Sequence, residues 1–151
     1  MSEIHKTATF DAPVEKVFEL VDNPENIPKY IPNVERVVDV KRTDHRIGDT
    51  FRVIYKVLGI SFDEKFTVTG YEPNRKLASN FDGGMKGTFN WTFEPQGTQT
   101  ECSMDIEYQV GGGILGKAAD ALLLERTNEK NMDESLEKMR RILAGAKVSS
   151  S

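Results

Sequence analysis

The sequence predicts an α+β domain in which a run of antiparallel strands packs against a long C-terminal helix. Three observations predict it. Apolar residues recur at every second position through most of 34–110, with turn residues between the runs. The glycines Gly111-Gly112-Gly113 end that series. Beyond them apolar residues return at helical spacing as far as Leu143. Strands and helix each have one apolar face, and laying one on the other buries both.

Each element follows in order. Ile4, Ala8 and Phe10 share a parity, with Lys6 as the exception, which predicts a first strand. Asp11 can cap a helix and Pro13 suits its first turn. Val14, Val17, Phe18 and Val21 then recur at helical spacing. Pro24, Pro28 and Pro32 break the next stretch into a short helix and a loop. Val34, Val38 and Val40 open the period-two region, and Asp44 to Gly48 supplies a turn. Phe51, Val53, Tyr55 and Val57 alternate, as do Ile60, Phe62, Phe66 and Val68, with Glu64 on the same side. Leu77 to Phe81 is a shorter strand closed by Asp82-Gly83-Gly84. Phe89, Trp91 and Phe93 alternate, and so do Cys102, Met104, Ile106, Tyr108 and Val110. This amounts to about seven strands joined by hairpins. The last helix is expected from about Ile114 to Leu143. Its stripe reads Ala118, Leu122, Met132, Leu136, Met139, Leu143, and the steps that fill the gap land on Glu125 and Glu129.

Composition narrows the function. The 151 residues suit one domain, expected over 1–146 with a flexible tail at 147–151. With 20 Lys and Arg against 24 Asp and Glu, the net charge is −4 and gives no basic surplus for nucleic acid or anionic lipid. The longest unbroken hydrophobic run is four residues, Ala121 to Leu124, far below the ~20 of a membrane span. The opening MSEIHKTATF is mixed, with one Glu and one Lys and no long apolar run, unlike a signal peptide. The one cysteine, Cys102, gives no disulfide framework and fits a reduced, cytoplasmic setting.

Few residues offer obvious chemistry. His5 falls on the parity opposite Ile4, and His45 sits in a turn, so neither is placed as a general base. No pair of histidines has metal-ligand spacing, and no metal or cofactor is expected. Cys102 has buried parity and no histidine neighbour, which suits a small hydrophobe. Gly83-Gly84-Met85-Lys86-Gly87 joins two strands and is a hairpin rather than a phosphate loop. Phe51, Tyr55, Phe62, Phe66, Phe81, Phe89, Trp91 and Tyr108 share the inward parity, either as solid core or as the wall of a cavity. Lys6, Glu64, Glu125 and Glu129 interrupt apolar positions. A lone carboxylate in a dry core is costly, so either a wet or ligand-filled space receives these glutamates, or the helix widens toward solvent there and they pair with Lys130 or Arg126.

The order of elements resembles the START-like helix-grip superfamily, also called SRPBCC, and within it the polyketide cyclase/lipid-transport and coenzyme Q-binding branch. Three stretches carry the resemblance: FDAPVEKVFELVDNPENIPKYIPNV at Phe10 to Val34, the last hairpin at Gly83 to Val110, and GGGILGKAADALLLERTNEKNMDESLEKM at Gly111 to Met139. Relatives often have a proline in the hinge where this chain has Gly111. The resemblance implies a curved sheet gripping the C-terminal helix around a hydrophobic cavity. Members carry lipids, sterols, quinones or polyketides, and a minority are cyclases or dehydratases.

On that basis the expected partner is a small hydrophobic molecule, with no nucleic acid and no stable membrane insertion. The cavity is expected to measure roughly 300–1,000 Å³. Its expected ligand-binding residues are Phe51, Val53, Tyr55, Phe62, Glu64, Phe66, Phe89, Trp91, Met104, Tyr108, Leu122, Glu125 and Glu129, with the entrance near Gly111-Gly112-Gly113. At least one of Glu125 and Glu129 is expected to face the cavity. A cyclase or dehydratase using Tyr or Glu in the same cavity is the alternative, and a partner-binding, chaperone-like domain is a third reading.

Overall fold

A computed structural model describes residues 2–111 and 121–149. Seven strands form one antiparallel sheet: β1 (Ser2–Phe10), β2 (Val34–Lys41), β3 (Thr50–Val57), β4 (Ile60–Glu72), β5 (Lys76–Asp82), β6 (Met85–Gln96) and β7 (Gln99–Val110). Their order is β1-β7-β6-β5-β4-β3-β2, so every neighbour from β2 to β7 is a sequential hairpin. Helices α1 (Val14–Asp22) and α2 (Ile27–Tyr30), with a 3-10 turn (Pro24–Asn26) between them, connect β1 to β2. The long helix α3 (Ala121–Ser149) packs against β1, β3 and α2. This is the expected α+β helix-grip fold.

Most buried hydrophobic residues form one cluster that runs from Ile4 to Leu143. Strand alternation supplies most of it: Cys102, Met104, Ile106 and Tyr108 are all buried on one face of β7. Phe18 of α1 joins through edge-to-face contacts with Phe93 and Tyr71, at 5.2 and 5.7 Å between ring centres. Gly87 of β6 permits an unusually close approach in the middle of the sheet. A Cβ there would lie 1.9 Å from the Glu107 carbonyl oxygen and 2.8 Å from Tyr108 Cα.

Some local readings are corrected. The N-cap of α1 is Pro13, not Asp11; its extended ψ of 153° precedes the first helical residue, Val14. Strand β2 is irregular: its register against β3 shifts between Val34 and Arg36 and again between Val38 and Lys41, and Asp39 has φ 53°. Val38 therefore lies opposite Arg52, and the single parity read for Val34, Val38 and Val40 does not persist along the strand. The other edge strand, β1, is tied to α3, where Arg140 Nη1 donates to the Thr9 carbonyl at 2.9 Å. Helix α3 also runs beyond Leu143, through Lys147, Val148 and Ser149, which the composition assigned to the tail. Ala144, Ala146 and Lys147 are strong helix formers and extend it. The expected start at Ile114 lies outside the described residues.

Candidate functional site

Helix α3 sets the roof of the site by its phase. Leu124 is 1% exposed, while Leu122 is 51% exposed and Glu125 and Glu129 are exposed. The inward line is therefore Leu124, Asn128, Met132, Leu136, Met139 and Leu143. Read backward from Met132 it steps by four, where the stripe expected from sequence steps by three. That one-residue difference turns the expected line by about 100°. The polar middle section exists, but Asn128 and Asn131 occupy it. Glu129 lies outside and meets Lys6 of β1, whose Nζ is 3.3 Å from it and 3.1 Å from Asp133. Neither glutamate lines the cavity beneath Asn128 and Asn131, and Glu125 borders a second space beside Tyr108 and Leu124.

Between the sheet and this roof lies a cavity of about 150 Å³. That is half the lower bound expected from sequence, because stacked rings fill much of the space. Phe51 and Phe66 stack at 5.2 Å and 5° between planes, and Phe66 touches Phe81 at 5.2 Å. Phe89 and Trp91 stack at 5.3 Å. Of the expected residues, Phe51, Val53, Tyr55, Glu64, Phe66, Phe89, Trp91 and Tyr108 line the cavity together. Phe62 and Met104 are buried outside it as solid core, and Leu122 is not part of it. Sequence reading missed the contributions of Ile27 and Ile31 from the α2 segment, Asn128 and Asn131 from α3, and the charged group around Arg46.

Glu64 closes one end. It is 1% exposed, yet it is a carboxylate on the inward face of β4. Tyr55 donates its hydroxyl to Oε2 at 2.5 Å, and the Met85 amide donates to Oε1 at 2.8 Å. Gly83 brings the β5–β6 turn onto this carboxylate, since a Cβ there would sit 2.7 Å from Glu64 Cγ. Burial pushes the Glu64 carboxyl up to about 7, against the opposing pull of the Tyr55 and Met85 hydrogen bonds. Burial, with Glu64 beside it, also holds the Tyr55 hydroxyl well above its ordinary range. Next to this pair Asn128 Nδ2 donates to the Tyr108 hydroxyl at 3.1 Å.

The other end is charged and half-buried. It lies beyond Asp49, whose backbone bonds Val68, four positions along β4 from Glu64 and so ~13 Å away. Arg46 grips Asp22 of α1 with both Nη atoms, at 2.8 and 3.1 Å, and Asp49 through Nε at 2.7 Å. Its guanidinium also lies 4.7 Å over the Tyr71 ring. Burial disfavours this cation, but the bonds to Asp22 and Asp49 outweigh it and keep Arg46 fully charged. The clasp ties the β2–β3 hairpin to the end of α1, and beside it the exposed Arg42 donates to Asn23 at 3.0 Å. Removing the clasp with Arg46→Ala is expected to speed amide exchange across 42–49 about tenfold while leaving β6 and β7 unchanged. Equal rates in variant and parent would show that the hairpin is held by its backbone bonds alone.

The residues set aside on sequence grounds are placed as follows. His5 is exposed against Asp105 on the outer face, and His45 is exposed in the β2–β3 turn. Cys102 is fully buried, and burial pushes its thiol up to about 12. Gly111 continues the sheet by donating its amide to the Gly84 carbonyl at 3.0 Å. Gly112 and Gly113, the rest of the expected entrance, lie outside the described residues.

A family profile described as "Polyketide cyclase / dehydrase and lipid transport" matches residues 1–144. The chain belongs to this family. Its fold is similar to that of a START superfamily protein from Mycobacterium smegmatis, with a TM-score of 0.79 and 14% identity over 95% of this chain and 98% of that one. It is also similar to the Zhui aromatase/cyclase from Streptomyces sp. R1128, with a TM-score of 0.75 and 17% identity over 95% and 93%. A protein from Thermus thermophilus matches with a TM-score of 0.75 and 19% identity over 96% and 99%. No curated protein matches the sequence. At these identities the likenesses show the START-like fold, and the polyketide cyclase/lipid-transport family supplies the setting for the cavity.

Proposed function

We propose that the protein binds and carries a small hydrophobic molecule that bears one polar group. One observation carries this reading: an apolar, aromatic-walled cavity under α3 ends at a buried carboxylate and two tyrosine hydroxyls. Apolar burial supplies the drive, on the order of 25 cal/mol per Å², and the polar end orients the ligand. The expected cytoplasmic setting belongs to the same proposal. Among the described residues no helix is long and apolar enough to cross a membrane. Trp91, the single tryptophan, lines the cavity and reports its occupancy. Native mass spectrometry of the purified protein should show a bound small molecule, and small apolar compounds should change Trp91 emission. A protein that carries no added mass and whose emission no apolar compound alters would defeat the proposal.

A second reading is favoured by one specific feature. A carboxyl that titrates at about 7 beside a tyrosine hydroxyl is suited to moving protons at neutral pH. One similar structure is that of an aromatase/cyclase. Turnover of a β-keto chain to a cyclised or dehydrated product, abolished in Glu64→Gln, would establish catalysis. Binding without turnover leaves the carrier reading.

A further inference from the structure

We infer that the ligand is a single flat ring bearing a hydroxyl group, not a long acyl chain or a carboxylic acid. The inference rests on the carrier reading and sharpens it. Size comes first. At about 150 Å³ the cavity matches a space that takes up a benzene ring. Shape comes second. The walls are aromatic: Phe51 and Phe66 stack 5° from parallel, and Phe89 and Trp91 stack 23° from it. Such stacked rings accept a further ring in offset or edge contact.

The polar end then selects the functional group. Glu64 accepts from Tyr55 and Met85 and keeps lone pairs to accept from a ligand. The Tyr108 hydroxyl accepts from Asn128 and keeps its own proton to donate. Asn128 Nδ2, which bonds Tyr108, also lies 3.8 Å from Sδ of Met85, the residue whose amide holds Glu64, so both groups stand at the same end of the cavity. A ligand hydroxyl is both donor and acceptor, so it can give its proton to Glu64 and receive one from Tyr108. A carboxylate or a ketone only accepts, and would set its oxygen against the Glu64 carboxylate.

The test compares four probes at pH 8 by Trp91 fluorescence and calorimetry: p-cresol, toluene, phenylacetate and palmitate. The protein should bind p-cresol at least tenfold more tightly than toluene, and phenylacetate and palmitate more weakly than p-cresol. Glu64→Gln should weaken p-cresol about tenfold and leave toluene unchanged, as for the loss of a charged hydrogen bond. Tyr108→Phe should weaken p-cresol several-fold, and it carries the test if Glu64→Gln does not fold. Equal affinity for p-cresol and toluene overturns the inference, as does p-cresol binding that neither variant alters. Tighter binding of palmitate or phenylacetate also overturns it while the carrier reading stands. If no probe binds, the inference is overturned, and the carrier reading falls with it when native mass spectrometry also shows no added mass.

Discussion

Gly87→Ala is expected to destabilise the domain by on the order of 3 kcal/mol, lowering its melting temperature by roughly 10 °C. A new Cβ would sit 1.9 Å from the Glu107 carbonyl oxygen and 2.8 Å from Tyr108 Cα, and both are backbone atoms of a central strand. No side-chain rotation relieves that contact, so β6 and β7 must separate locally. Tyr108 stands at the polar end of the cavity, so the same change should also weaken ligand binding. Calorimetric unfolding of parent and variant measures the effect. A loss below about 1 kcal/mol would mean that the strands part freely here and that their close approach has no structural weight.

Stability should also fall as pH rises toward neutrality, through Glu64. Its carboxyl is pushed from 4.5 to about 7 on folding, because burial disfavours the charged form. The folded state thus holds the proton more tightly than the unfolded chain. The contribution is fullest below about pH 4.5 and is lost as pH passes through 7, amounting to roughly 3 kcal/mol. Glu64→Gln removes this titration. Urea unfolding of parent and variant should therefore show the variant gaining roughly 3 kcal/mol on the parent between pH 4.5 and pH 8. A stability difference between the two that stays constant with pH would show that Glu64 is ionised as easily in the folded protein as in the open chain.

The side of the sheet on which each residue lies was legible because strand geometry has a period of two. Parity puts Tyr55, Glu64, Phe66, Trp91 and Tyr108 on the inward face, and all five line the cavity. Alternation reports a face but not what covers it. Met104 shares the inward face with Trp91, its neighbour in register, yet it is packed solid. Phe62 is likewise inward but lies against Tyr55 at 5.1 Å instead of bordering the void. The helix was harder. Met132, Leu136, Met139 and Leu143 fit two phases equally, and three successive leucines at 122–124 fit any phase, so nothing upstream chose between them. Packing chose Leu124 and Asn128, which moved Glu125 and Glu129 outward. The Arg46 clasp joins residues 24 positions apart on a turn and a helix end, and no local pattern encodes such a meeting.

The two margins of the sheet bear on how copies of this protein meet one another. A regular strand margin offers a ladder of free amides and carbonyls, onto which a second molecule can add a strand and begin a fibril. At β2 the two register shifts, with Asp39 turned to positive φ, break that ladder into pieces too short to template an incoming chain. At β1 the Thr9 carbonyl is taken by Arg140, and Lys6 is engaged by Glu129 and Asp133 of the same helix. The open sheet that makes room for a ligand thus carries at each margin a feature that hinders strand addition: a bulged β2, and a β1 whose Thr9 carbonyl is already taken.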